Sequence, residues 1–226
     1  MLNFEPKTTS DMVFSDEHTK RLLNDILTHK LSFPKNGRNT LLLYGTYGSG
    51  KTTYAKVFFD DYEKSYGGNK ALVDVYTNEG GDAITKQITQ VNTVANLVPL
   101  NHQSNVHYVL FDEVDNYTKV QQQRLKSLLN REDIIVIMTT NFLNRVDEGI
   151  RSRSYQIDFN ASTNAFDYVK RMKQIIQQNN LPLVGEDTLR TIAIQSEGDW
   201  REMCSVLEQV CSNIDSDDTD THLQVA

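Results

Sequence analysis

The sequence predicts an α/β protein: a five-stranded parallel sheet covered by helices, followed by a small three-helix domain. Three observations predict it. Short apolar runs alternate with helix-like stretches from Thr40 to Phe159. The first apolar run leads into a glycine-rich loop, Gly45 to Thr52, of the form G-x-x-x-x-G-K-[ST]. After Phe159 the strand-like runs stop, and only amphipathic helical stretches follow.

Residues 1–15 read as extended, and "SDEHTKRLLNDILTHKL" as a helix with Ser15 as N-cap. "FPKNGRN" ends it, and "TLLLYG" is a short buried strand entering the loop. A helix follows the loop to about "SYGGN", then a strand "ALVDVY" and a helix "GDAITKQITQVNTVANLV". "VHYVLFDEVD" is apolar without alternation through Phe111, as expected of a strand covered on both faces. "KVQQQRLKSLLN" is a helix, and "DIIVIMTTN" and "SYQIDF" are the last two strands. Residues 1–160 are expected to form the sheet domain and 161–213 a helical domain of three helices, with 214–226 an acidic, frayed tail.

The net charge of −7 in 226 residues argues against a protein that coats nucleic acid with a broadly basic surface. It leaves open DNA binding through one local face of an assembly. No apolar run approaches the roughly 20 residues that span a bilayer, and the N-terminus lacks the pattern of a signal peptide. Cys204 and Cys211 share a face of one expected helix and read as buried thiols of a reduced, cytoplasmic protein, not as a disulfide or metal site.

The glycines let the loop turn tightly, so that successive N–H groups point at phosphate oxygens, and the following helix adds the positive end of its dipole. Gly45, Gly48, Ser49, Gly50, Lys51, Thr52 and Thr53 are therefore the candidate nucleotide-binding residues. Lys51 supplies a point charge for the β- and γ-phosphates, and the Thr52 hydroxyl a ligand for Mg²⁺. "YVLFDEVD" ends a strand in Asp112 and Glu113, which alternation sends to different places. Asp112 is expected to hold Mg²⁺, directly or through water, and Glu113 to polarise an attacking water as general base. The absence of a guanine-reading N-K-x-D sequence favours ATP over GTP. "VIMTTN" ends the next strand in Asn141, placed to position that water or contact the γ-phosphate. "GIRSRSYQIDF" offers Arg151 and Arg153, which suit a guanidinium presented to a neighbouring subunit's phosphate. "EGDWREMCSVL" puts Arg201 in the first turn of the last helix, facing back toward the sheet.

With these elements in order, residues 4 to 212 resemble an AAA+ ATPase of the clamp-loader group, the small subunits of replication factor C and equivalent phage and bacterial loader subunits. "FEPKTTSDMVFSDE" is similar to the group's N-terminal signature, which closes over the adenine and so implies Met12, Val13 and Phe14 as base contacts. "FDEVD" is similar to the Walker B box, "TTN" to sensor 1, "SRS" to the serine-arginine-cysteine motif and "GDWR" to sensor 2. The resemblance implies that Arg153 is a finger acting in trans and that Arg201 contacts the γ-phosphate. Two residues depart from it: Ser154 stands for the motif's cysteine, and Glu5 for a common arginine. The resemblance implies a further helical collar, and no element of it is expected after the helical domain in these 226 residues.

The function implied is an ATPase that assembles with related AAA+ subunits on primer–template DNA and loads a sliding clamp. Lys86, Lys119 and Arg124 are then either DNA-tracking residues or solvated positions on helix faces. The alternative is an AAA+ loader or adaptor for a helicase, an initiator or a transposition complex.

Overall fold

The computed structural model describes residues 4–14, 16–77, 83–162 and 164–222. Strand β1 (Thr40–Tyr44) lies inside the sheet, and β2 (Val73–Tyr76) closes one edge. Next to β2 come β3 (His107–Phe111) and β4 (Ile134–Thr140), and β5 (Ser154–Asp158) closes the other edge beyond β1. The order is β2-β3-β4-β1-β5 and every pairing is parallel.

Alternation along the strands divides the apolar residues between two faces. On one face Leu41, Leu43, Ile135, Ile137 and Ile157 meet α1 (Glu17–Leu27) and the aromatic stripe Tyr54, Phe58 and Tyr62 of α2 (Lys51–Ser65). On the other, Leu42, Val109, Phe111, Val136 and Met138 meet α3 (Ala83–Val94) and α4 (Lys119–Leu125). With both faces covered, β4 is buried along its whole length.

A third core joins α6 (Ala165–Gln178), α7 (Glu186–Gln195) and α8 (Trp200–His222) around Met172, Ile176, Leu189, Ile192, Met203 and Leu207. The N-terminal segment touches both bodies. Met12 and Phe14 pack on the sheet domain, while Phe4 and Val13 pack on the helical lid. Asp11 pairs at 3.1 Å with Arg171, a lid residue only 5% exposed.

Three details differ from the sequence reading. The cap of α1 is Asp16, whose carboxylate accepts the Thr19 N–H at 2.7 Å; Ser15 lies outside the described residues. A short helix, α5 (Glu148–Arg151), capped by Asp147, stands between β4 and β5, where none was expected. The last helix runs past Ile214, where the reading ended it, to His222.

Glu63 of α2 is fully buried and holds the approach to β3. Its carboxylate accepts hydrogen bonds from the Gln103 backbone N–H, the Ser104 hydroxyl (2.6 Å) and the Tyr108 hydroxyl (2.7 Å). Removing it takes the acceptor from the buried Tyr108 hydroxyl and from the less buried Ser104 and Gln103 donors, a loss of about 1–3 kcal/mol for the buried group and less for the other two. Glu63→Ala is therefore predicted to lower unfolding stability by about 3 kcal/mol, read as a fall in the urea midpoint at constant slope. A change below about 0.5 kcal/mol would show that the network is dispensable.

Candidate active site

The loop after β1 turns directly into α2. Gly50 is the N-cap of α2 at φ 91, with no side-chain cap, so the first N–H groups of the helix are left for an anion. Lys51 is 7% exposed, and its ammonium donates to Gly45 O (2.9 Å), Thr46 O (2.7 Å) and Ser49 Oγ (3.2 Å). All three N–H bonds of an ammonium are thus occupied by the loop itself, and a phosphate oxygen has to replace one of them. Burial pushes the Lys51 ammonium down to about 8, against the opposite pull of Asp112, Asp115 and Glu113.

The two acidic residues part as alternation requires. Asp112 Oδ1 accepts the hydroxyls of Thr52 (2.9 Å) and Thr139. Glu113 takes a left-handed conformation, φ 54, which turns the chain out of the strand and leaves its side chain exposed. Its backbone N–H donates to Thr139 Oγ1 at 2.9 Å, and Asn116 Nδ2 donates to its carboxylate at 3.1 Å. Thr139 is 1% exposed and fixes both acids. Asn141 follows at the end of β4, its N–H donating to Asp115 Oδ1 at 3.2 Å.

These groups line one cavity of about 330 Å³. From the sequence-selected residues it gathers Met12, Gly48, Ser49, Gly50, Lys51, Thr52, Thr53, Asp112, Glu113, Asn141 and Arg201. Gly45 is buried beneath the loop and takes part through its carbonyl. Val13 and Phe14 are not on the cavity wall; they pack into the lid and sheet cores, leaving Met12 as the member of that trio that faces it. Arg153 is exposed outside the cavity, donating to Gly149 O at 2.9 Å. Lys86, Lys119 and Arg124 are exposed on α3 and α4. Cys211 is buried, whereas Cys204 is half-buried and lines the cavity, its thiol pushed up to about 11 by burial.

The wall also includes residues that motif reading did not select. Thr139 sits two before Asn141, on the same face of the strand, and was accessible to a period-of-two argument. Arg171 and Ile175 carry no local signal, since they sit in an ordinary amphipathic helix and reach the site only through the docking of the lid. A divalent cation of the Mg²⁺ type fits the donors present. The Thr52 hydroxyl and the Asp112 carboxylate are hard oxygens 2.9 Å apart. No group of three acidic, His or Cys side chains able to hold a metal occurs among the described residues.

Residues 41–161, just over half the chain, match the ATPase family associated with various cellular activities (AAA), and the chain belongs to that family. It is 26% identical over 208 residues to replication factor C small subunit 2 of Pyrobaculum islandicum, covering 91% of this chain and 61% of that protein. With the replication factor C small subunit of Staphylothermus marinus it is 28% identical over 211 residues, 91% of this chain and 59% of that one. The chain thus spans about three-fifths of the length of these curated relatives. Among solved structures, a mutant of Thermotoga maritima RuvB superposes with a TM-score of 0.67 at 16% identity, over 91% of this chain and 65% of that one. C. elegans PCH-2 gives 0.64 at 14%, over 89% and 64%. These two share the fold. No helix among the described residues is long and apolar enough to cross a membrane.

The Lys51 environment gives a pH prediction. Bound phosphates hold the ammonium in its charged form, while burial in the empty loop favours loss of the proton near pH 8. Nucleotide binding therefore takes up a proton at high pH, and affinity is greatest below pH 8 and falls above it. Between pH 7 and 9 the dissociation constant of a non-hydrolysed ATP analogue is predicted to rise about tenfold. Calorimetry in buffers of different ionisation enthalpy reads the proton uptake. Affinity constant across that range, with no proton uptake, would refute the assignment.

Proposed function

We propose that this chain is a Mg²⁺-dependent ATPase of the clamp-loader type, hydrolysing ATP at interfaces between AAA+ subunits to load a ring-shaped sliding clamp onto primer–template DNA. The observation that carries the proposal is the single cavity that gathers phosphate loop, acidic pair and Asn141 from the sheet domain and Arg201 from the lid. It is supported by the similarity to replication factor C small subunits, which runs through both domains.

In this reading Thr52 and Asp112 hold Mg²⁺, which neutralises phosphate charge when bound. The loop N–H groups and Lys51 bind the phosphates, and Met12 borders the base. Glu113, turned out of the strand, accepts a proton from the attacking water. Asn141 orients that water or contacts the γ-phosphate, and Arg201 contacts the γ-phosphate from the lid. Arg153, outside its own chain's cavity, reaches the ATP of a neighbour. The arrangement supports this placement because Gln122, 3% exposed, ties the segment leading to α5 and Arg153 to the acidic turn. Its amide donates to Val114 O and Arg145 O and accepts the Asp147 N–H.

Glu113→Gln is predicted to keep nucleotide affinity and lose turnover by about 10²-fold or more, because the amide fills the same space without basicity. Loss of binding together with turnover would make Glu113 structural.

Mixing Arg153→Ala with Glu113→Gln protein is predicted to restore part of the DNA-stimulated ATPase that each lacks alone, since one mixed interface joins an intact finger to an intact base. Normal turnover by Arg153→Ala alone would exclude a finger in trans. Co-purification of a sliding clamp would support the loading target. Recovery of a replicative helicase, an initiator or a transposition protein in its place would move the same ATPase to the alternative loader reading.

A further inference from the structure

The turn that opens α8 is fastened to the phosphate loop by consecutive residues. Gly198, at φ 88, brings the chain so close to Ala161 that a side chain at 198 would lie 2.6 Å from the Ala161 Cβ. Asp199 Oδ1 accepts the backbone N–H groups of Arg201 (2.8 Å) and Glu202 (3.2 Å), capping the helix. The same carboxylate lies against Gly48 of the phosphate loop, where any side chain would overlap it. Trp200 then donates its backbone N–H to Gly48 O at 3.0 Å, and its ring lines the cavity beside Gly50 and Tyr168.

We infer that Asp199 is a positioning residue: one carboxylate sets the first turn of α8, and with it Arg201, at a fixed place on the phosphate loop. Gly48 is required on the loop side because the carboxylate occupies the space of a side chain. The cap fixes the peptide N–H of Arg201 itself, so losing it frees the backbone that aims the guanidinium. The inference rests on Arg201 acting at the γ-phosphate. The bonds Asp199 makes are to neutral N–H groups, so an amide oxygen in the same place meets the geometric need.

Two measurements on the full chain test this. In steady-state ATPase assays, Asp199→Ala is expected to lower kcat about tenfold with KM changed less than about threefold, and Asp199→Asn to restore most of the rate. The double variant Asp199→Ala/Arg201→Ala is expected to be no slower than Arg201→Ala, since a residue acting only through another adds nothing once that one is gone. Multiplying effects, or an Asp199→Asn as slow as Asp199→Ala, would overturn the inference.

Amide hydrogen exchange with a bound non-hydrolysed ATP analogue supplies a readout independent of turnover. In Asp199→Ala, exchange at residues 199–203 and at the loop, residues 46–52, is expected to rise together about tenfold while the β4 core stays protected. A rise confined to the helix start would show that Asp199 is only a cap and overturn the link to the loop. Should the wild-type chain turn over no ATP, the ATPase reading falls, while the exchange result still decides the positioning role.

Discussion

Asp112 Oδ1 accepts hydroxyl hydrogens from Thr52 and from Thr139, and so joins three segments far apart in the chain at one atom. Thr52 belongs to the helix after β1, Asp112 to the end of β3, and Thr139 to β4, which lies between those strands. The contact exists only in a parallel sheet with this order and register, Phe111 opposite Met138 and Tyr44 opposite Thr140. A slip of one residue would turn Thr139 to the opposite face and exchange the two apolar cores. The packing of Leu42, Val136 and Met138 against α3 and α4 is therefore also what sets the acidic pair beside the phosphate loop.

The site is built from two bodies. The sheet domain supplies the loop, the acids and Asn141, while the lid supplies Arg171, Trp200 and Arg201. Between them runs the N-terminal segment, with alternate side chains in the two cores and Asp11 paired to Arg171. Burial in this space disfavours the charged form of Lys51, against the pull of the neighbouring acids. Its ammonium is held by loop acceptors, one of which a bound phosphate oxygen must replace.

Much of this was legible in the sequence because it is locally encoded. The loop glycines and Lys51 form a contiguous pattern, the strands announce themselves by apolar runs ending in "FDE" and "TTN", and the lid by amphipathic spacing. The family resemblance pointed to Arg153 and Arg201 by motif. What local reading missed depends on contacts across the chain. Arg171 gains its meaning from Asp11, far away in sequence, and α5 is a single helical turn fixed by the Asp147 cap. Val13 and Phe14, expected as base contacts beside Met12, lie off the cavity wall. Alternation along the extended segment sends Val13 into the lid core, whereas Met12 and Phe14 share the sheet side, where Phe14 is held in edge contacts with Tyr54 and Phe159 and Met12 is left at the cavity.

We propose that one cavity, closed by the lid over the Lys51 loop, binds the nucleotide. Trp200, the sole tryptophan of the sequence, lines that cavity and reports on it directly. Its fluorescence should change saturably on titration with a Mg²⁺-bound ATP analogue in the wild-type chain, and Lys51→Ala should show no such change. A wild-type signal unaffected by saturating nucleotide, or the same response in Lys51→Ala, would contradict the account.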